Sequence, residues 1–331
     1  MNFATSVLPA PATPDLVIHA LRIDIGQEPS VVHAVRGVEI HVRSGTRLGI
    51  VGESGSGKTM TAVAVLRVLP PQARIIEGEI LFKGTNLLKL SSHEMASIQG
   101  KDISICFQNA KSALNPVLPV GKQISMVFRR HFGGSSRAAW LRAVEFLKLM
   151  GIQNAEERAH AYPHELSGGM AQRVMIAMAL VCEPAILLAD EPTTGLDVTI
   201  QAQVLESIAD SLERRSTSLV LISHDIGVVK GMCDEIVVMY AGEVFESGPS
   251  SLILTYPRHP YTRGLIAAFD ATGKPEYIPG RVPSLRRVFT GCAFADRCKL
   301  ADTFCHTTPP PLRILGDGRR VACHKAEDPI A

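Results

Sequence analysis

Residues 52–59, Gly52-Glu53-Ser54-Gly55-Ser56-Gly57-Lys58-Thr59, follow the spacing G-x-x-x-x-G-K-[ST] in full. The chemistry open to such a segment is anion binding. Its glycines let the backbone curl until successive N–H groups point at phosphate oxygens, and a helix starting at its end adds a positive pole. Lys58 would carry a point charge to the β- and γ-phosphates, and the Thr59 hydroxyl would ligate Mg²⁺. Further along, Asp190 ends the apolar run Ala185-Ile186-Leu187-Leu188-Ala189, and Glu191 follows it. An acid at the carboxyl end of a buried strand stands where an open α/β sheet gathers its ligands. There Asp190 could hold Mg²⁺ through water, and Glu191 could orient and polarise an attacking water. Taken alone, the first segment could be a chance Gly/Ser-rich turn and the second an acid pair capping the next element. The strand–loop–helix setting of the first, and the presence of both in one chain, argue instead for a P-loop nucleotide hydrolase.

The elements that must position these residues are legible in outline. Arg47–Val51 is a short apolar run that stops at Gly52, as a buried strand feeding a loop does. Lys58–Val68 has apolar residues at helical spacing and ends before Pro70-Pro71. Strands are expected at Leu16–Ile25, Gly37–Val42, Glu79–Phe82, Ile103–Phe107, Ala185–Ala189, Leu219–Ser223, Ile236–Tyr240 and Glu243–Glu246. Helices are expected across Val120–Ala161, broken at His131–Ser136, and at Met170–Val181 and Ile200–Leu212. Strands alternating with helices indicate an α/β protein with a mostly parallel sheet. Beyond about Pro249 the texture changes to prolines, glycines and scattered cysteines, with one helix expected at Tyr261–Phe269. This reads as a separate small region with a thin core.

Length and composition bound the rest. The 331 residues allow one large domain and a smaller one. Lys plus Arg (34) nearly balances Asp plus Glu (32), which argues against a protein held on nucleic acid by bulk charge. No apolar run reaches the roughly 18–20 residues that span a bilayer. The N-terminus, MNFATSVLPAPATP, lacks the basic start and apolar core of a signal peptide and reads as a flexible tail. Any membrane attachment is therefore expected through partners. Seven cysteines without an export signal favour free thiols or metal ligands over a disulfide framework.

Leu166-Ser167-Gly168-Gly169-Met170-Ala171-Gln172-Arg173 opens the helix before the acid strand. It resembles the signature of the ABC ATPase family, LSGGQ, with Met170 in place of the usual Gln. Physically it is another helix N-terminus offering a hydroxyl and N–H groups to an anion. Ser167 also suits a plain N-cap, and the two roles are compatible. The resemblance implies that Ser167, Gly168 and Gly169 close over the nucleotide held by a second ATPase subunit. It further implies that Gln108 is the glutamine reaching Mg²⁺ and the attacking water, that Gly195-Leu196-Asp197 crosses the dimer interface, and that His224 contacts the γ-phosphate. The aromatic residue on which many members stack adenine is missing from Glu28–His33, leaving His33 as a candidate.

His259-Pro260-Tyr261-Thr262, Ile278–Pro283 and Gly291-Cys292 resemble the C-terminal extension of oligopeptide/dipeptide importer ATPases. That resemblance implies an ABC ATPase domain over 15–255, with an inserted helical subdomain at about 108–182, after a tail at 1–14 and before an extension over 256–331. The implied partners are two membrane permeases, a second and paralogous ATPase, and an extracytoplasmic solute-binding protein. The implied place is the cytoplasmic face of the inner membrane, with the segment near Asn109–Val120 against the permease. Importers of nickel, glutathione or another small solute share this architecture. A soluble ABC ATPase of DNA repair or translation is the alternative of another class, disfavoured by the absence of long heptads and of a second cassette. Cys292, Cys298, Cys305 and Cys323 fall together in the extension, separated by five, six and seventeen residues. Some members of the dipeptide branch carry a [4Fe–4S] cluster there. Four free thiols, or zinc with His306 or His324, are the other readings. Cys106, Cys182 and Cys233 read as small core residues.

Overall fold

The computed structural model describes residues 14–213, 216–268 and 278–326. The expected tail lies outside these residues except for Pro14, and so does Phe269 at the end of one expected helix. Among the described residues, twelve strands run in chain order: β1 Pro14–Ile25, β2 Val32–Arg43, β3 Arg47–Val51, β4 Ala73–Phe82, β5 Thr85–Asn86, β6 Ile103–Cys106, β7 Ile186–Asp190, β8 Ser218–Ile222, β9 Glu235–Tyr240, β10 Glu243–Pro249, β11 Arg313–Ile314 and β12 Arg320–Val321.

They form two sheets. One is antiparallel in the order β2-β1-β4-β5, and the other has the order β11-β12-β10-β9-β3-β8-β7-β6. In the larger sheet β6, β7, β8, β3 and β9 are mutually parallel, while β10, β11 and β12 are added antiparallel. Residues 186–190 and 218–222 are buried at every position, as strands covered on both faces must be. Parallel order aligns the carboxyl ends of β3, β6, β7 and β8 on one edge. The functional segments after Val51, Cys106, Asp190 and Ile222 all leave from that edge.

Helix Lys58–Val65 lies in a core shared with the antiparallel sheet, through residues such as Ala62, Val65, Leu21, Val38 and Ile80. Helices Val120–Phe132, Ser136–Leu149 and Gly168–Leu180 share a second core with Val204, Ile208 and Leu212. The C-terminal residues share strands and core with the rest of the molecule. β12 pairs with β10, and Ile253, Tyr261, Leu265, Ala293 and Phe294 are buried in that second core. A thin chain of low apolar content gains stability by sharing an existing core, which composition alone does not reveal. Helix Ser92–Ile98, closed by a Ser91/Glu94 capping box, and the β11–β12 hairpin are also additions to the sequence reading.

Candidate nucleotide site

The phosphate loop runs from β3 into helix Lys58–Val65. Two of its glycines are required by space as well as by backbone angle. A Cβ on Gly52 would lie 2.1 Å from the Met239 carbonyl oxygen, and one on Gly57 (φ 97°) would lie 2.5 Å from that of Ala34. The Lys58 ammonium, 7% exposed, donates to the carbonyls of Gly52 and Glu53 at 2.8 and 2.9 Å and to Ser56 Oγ at 3.4 Å. Burial lowers its pKa, against the opposing pull of Glu191, Asp190 and Glu53. A desolvated cation in a ring of backbone groups suits a phosphate anion.

Thr59 Oγ1 donates to Asp190 Oδ1 at 3.1 Å, so two of the three Mg²⁺ candidates meet. Burial raises the Asp190 carboxyl above its ordinary range despite that hydrogen bond. Glu191 is next, with φ 47°, a left-handed backbone that turns its carboxylate away from the strand line. Three groups converge on that carboxylate: Gln108 Nε2 at 2.8 Å, Thr194 Oγ1 at 2.9 Å and His224 Nδ1 at 3.1 Å. Burial pulls the Glu191 pKa up, but the bonds from His224 and Thr194 and the charge of Lys58 leave it below the usual carboxylate range. The side chain is thus held ionised, as a proton acceptor must be. Gln108, Glu191 and His224 are thus brought together. Thr194, whose only signal was a hydroxyl three residues beyond Glu191, was missed.

Ser167, Gly168 and Gly169 have other neighbours. Ser167 Oγ accepts from Met170 N at 3.2 Å and caps helix Gly168–Leu180. With Arg158, Arg173 and Gly195–Asp197, these residues line an open cavity of about 670 Å³. That cavity contains none of residues 52–59. The adenine candidate His33 is tied to Asp24 Oδ1 at 2.8 Å.

Glu53 departs from expectation. Its carboxylate is held by Arg297 in the C-terminal region at 2.7 and 3.0 Å, and its N–H donates to Tyr261 Oη at 2.9 Å. Cys106, Cys182 and Cys233 are buried core residues, and burial pushes their thiols up to about 12, 11 and 12. Cys292, Cys298, Cys305 and Cys323 line one small cavity with His259, Phe294 and His324. Burial raises the Cys292, Cys298 and Cys323 thiols, Cys292 to about 12. Among the described residues, no group of three or more His, Cys, Asp or Glu side chains is disposed to hold a metal ion. The four thiols share one cavity, but as placed they are not closed round a metal ion.

Comparison with known proteins accords with this geometry. The ABC transporter family model matches residues 35–194, and the model for the oligopeptide/dipeptide transporter C-terminal region matches residues 245–305. A probable peptide ABC transporter ATP-binding protein of Sinorhizobium fredii is 46% identical over 310 residues, covering 92% of each chain. The oligopeptide transport ATP-binding protein of Bacillus subtilis is 47% identical, covering 86% of this chain and 82% of its own. Among solved structures, a dimeric ATP-binding cassette in a post-hydrolysis state with ADP and Pi superimposes with a TM-score of 0.64 at 26% identity. That match covers 71% of this chain and 98% of the cassette. The fold, the converging nucleotide-site residues and a likeness running through the C-terminal region have one explanation: the chain belongs to the ABC transporter ATP-binding subunits of the oligopeptide/dipeptide family, and it is an ATPase.

Proposed function

We propose that this subunit drives import of di- or oligopeptides by binding and hydrolysing ATP beneath two membrane permeases. The observation that carries the hydrolytic part is the convergence of Gln108, Thr194 and His224 on Glu191, beside the Thr59–Asp190 pair and the Lys58 ammonium. Residues 52–59 bind the triphosphate, Glu191 polarises water for in-line attack at the γ-phosphorus, and ADP leaves. Gln108 orients that water and His224 contacts the γ-phosphate. Mg²⁺, held by Thr59 and Asp190 with Gln108 in reach, would supply charge neutralisation on the β- and γ-oxygens.

Ser167, Gly168 and Gly169 serve the ATP of a second, paralogous ATPase subunit. Their separate cavity supports this reading, since a helix N-terminus lined by Arg158 and Arg173 is open to an anion brought from outside the chain. We place the permease contact at residues 109–120, where Val117 is 73% exposed. An extracytoplasmic binding protein would deliver the peptide, and the subunit would sit peripherally on the cytoplasmic face of the inner membrane. We divide the chain into an ATPase domain over 15–255, with its helical subdomain at about 108–182, and an extension over 256–331. In that extension Cys292, Cys298, Cys305 and Cys323 would hold a [4Fe–4S] cluster, a structural tie for a loop-rich segment. Similarity to peptide-transport proteins supports the solute, which the nucleotide site does not select.

The test is reconstitution of the complete assembly in proteoliposomes, with labelled peptides against nickel and glutathione as solutes. ATP-dependent uptake of peptide is expected, and uptake of nickel or glutathione alone would overturn the assignment. On the same anaerobic preparation the cluster predicts iron and a brown colour. A colourless protein with about one zinc per chain would contradict it.

A further inference from the structure

The C-terminal region reaches into the phosphate loop at one residue. Arg297 lies between Cys292 and Cys298 in sequence, and its side chain is 5% exposed. Its guanidinium makes a two-pronged pair with Glu53, Nη1 to Oε2 at 2.7 Å and Nη2 to Oε1 at 3.0 Å. Two further donors are used as well: Nη1 also reaches Tyr240 Oη at 3.0 Å, and Nε donates to the Pro279 carbonyl at 2.8 Å. The Glu53 N–H is taken by Tyr261 Oη, so side chain and backbone of this loop residue are both fixed from beyond residue 239. A forked, hydrogen-bonded pair of this kind fixes geometry more firmly than a point charge does.

The pairing answers an electrostatic difficulty. Glu53 puts a carboxylate at the second position of a loop whose ligand carries several negative charges, and its field is felt at the Lys58 ammonium. Left unpaired and 26% exposed, that carboxylate would repel the phosphates and leave a partly desolvated charge. We propose that Arg297 is a positioning residue of the nucleotide site, reaching from the C-terminal region to cancel the Glu53 charge and hold that carboxylate away from the phosphates. This rests on residues 52–59 being the nucleotide site. It makes the segment carrying Cys292 and Cys298 a determinant of ATP affinity, not only an appendage.

The experiment titrates the full-length protein with MgATP, MgADP and adenosine. Arg297→Gln should weaken MgATP by about tenfold, MgADP by less and adenosine not at all, because the effect follows ligand charge. Removing the orphaned charge should reverse it: Arg297→Gln with Glu53→Gln should return to within about twofold of the parent protein. MgATP binding unchanged in Arg297→Gln, or a double variant as weak as the single one, would overturn the proposal, the latter marking a purely structural role. Should Arg297→Gln not fold, Glu53→Gln alone decides. It leaves Arg297 as an uncancelled cation and should tighten MgATP by about threefold, whereas weakening would overturn the proposal. A parent protein that fails to bind MgATP would refute the nucleotide site itself, a separate outcome.

Discussion

Glu191 is the residue on which the proposed chemistry turns, and its surroundings explain how. Its backbone lies in the left-handed region, and three side chains from three different segments end on its two oxygens. Such a conformation costs of order 1–3 kcal/mol and persists only where neighbours enforce it. Asp190 and Glu191 were legible because they close an apolar strand, and strand ends collect on one edge of a parallel sheet, whereas Gln108 and His224 came only from the family resemblance. Thr194 was not legible, since a hydroxyl in a turn usually serves its own backbone. If Thr194 helps keep the carboxylate ionised and aimed, Thr194→Val should lower the turnover of the assembled transporter by about tenfold, the scale of one lost charged hydrogen bond. Binding of MgATP should be unaffected. Unchanged turnover would reduce Thr194 to a turn residue.

At the scale of elements, the phosphate loop works because β3 and helix Lys58–Val65 are locked in separate layers with the loop between them. Gly57 holds φ 97° at the helix N-cap, against the Ala34 carbonyl of β2. Gly57→Ala combines a left-handed alanine with a Cβ at 2.5 Å from backbone, so the loop must move. We expect a loss of about 1–3 kcal/mol in urea-unfolding stability together with much weaker MgATP binding. Normal stability and affinity would show that the loop relaxes freely. Strand–loop–helix units of this kind were legible because their signals are local, and observed bounds mostly differ from expectation by a few residues at the ends. The β11–β12 hairpin was missed, because two-residue strands carry no periodic signal and depend on β10 for pairing.

The whole molecule joins parts that the sequence presents as separate. Arg297 and Glu53 stand 244 residues apart and yet make a forked pair, and no local pattern announces such a contact. Composition changes near Pro249, and beyond it Tyr261 and Phe294 are buried in the core shared with the ATPase helices while Val321 pairs with β10. Conversely, Ser167–Gly169 and residues 52–59, which the family resemblance assigns to a single chemical event, line different parts of the surface. On the proposed function a site divided in this way is completed by a second ATPase subunit, and hydrolysis would then depend on assembly while nucleotide binding would not.

The most direct measurement compares Glu191→Gln with the parent protein in the reconstituted assembly, recording MgATP binding and phosphate release on the same samples. The substitution keeps the shape and a hydrogen-bonding oxygen but removes the proton acceptor. Bound MgATP with phosphate release reduced by about a hundredfold or more is the predicted result. Phosphate release at the parent rate would contradict the account, because the group on which Gln108, Thr194 and His224 converge would then have no part in the chemistry.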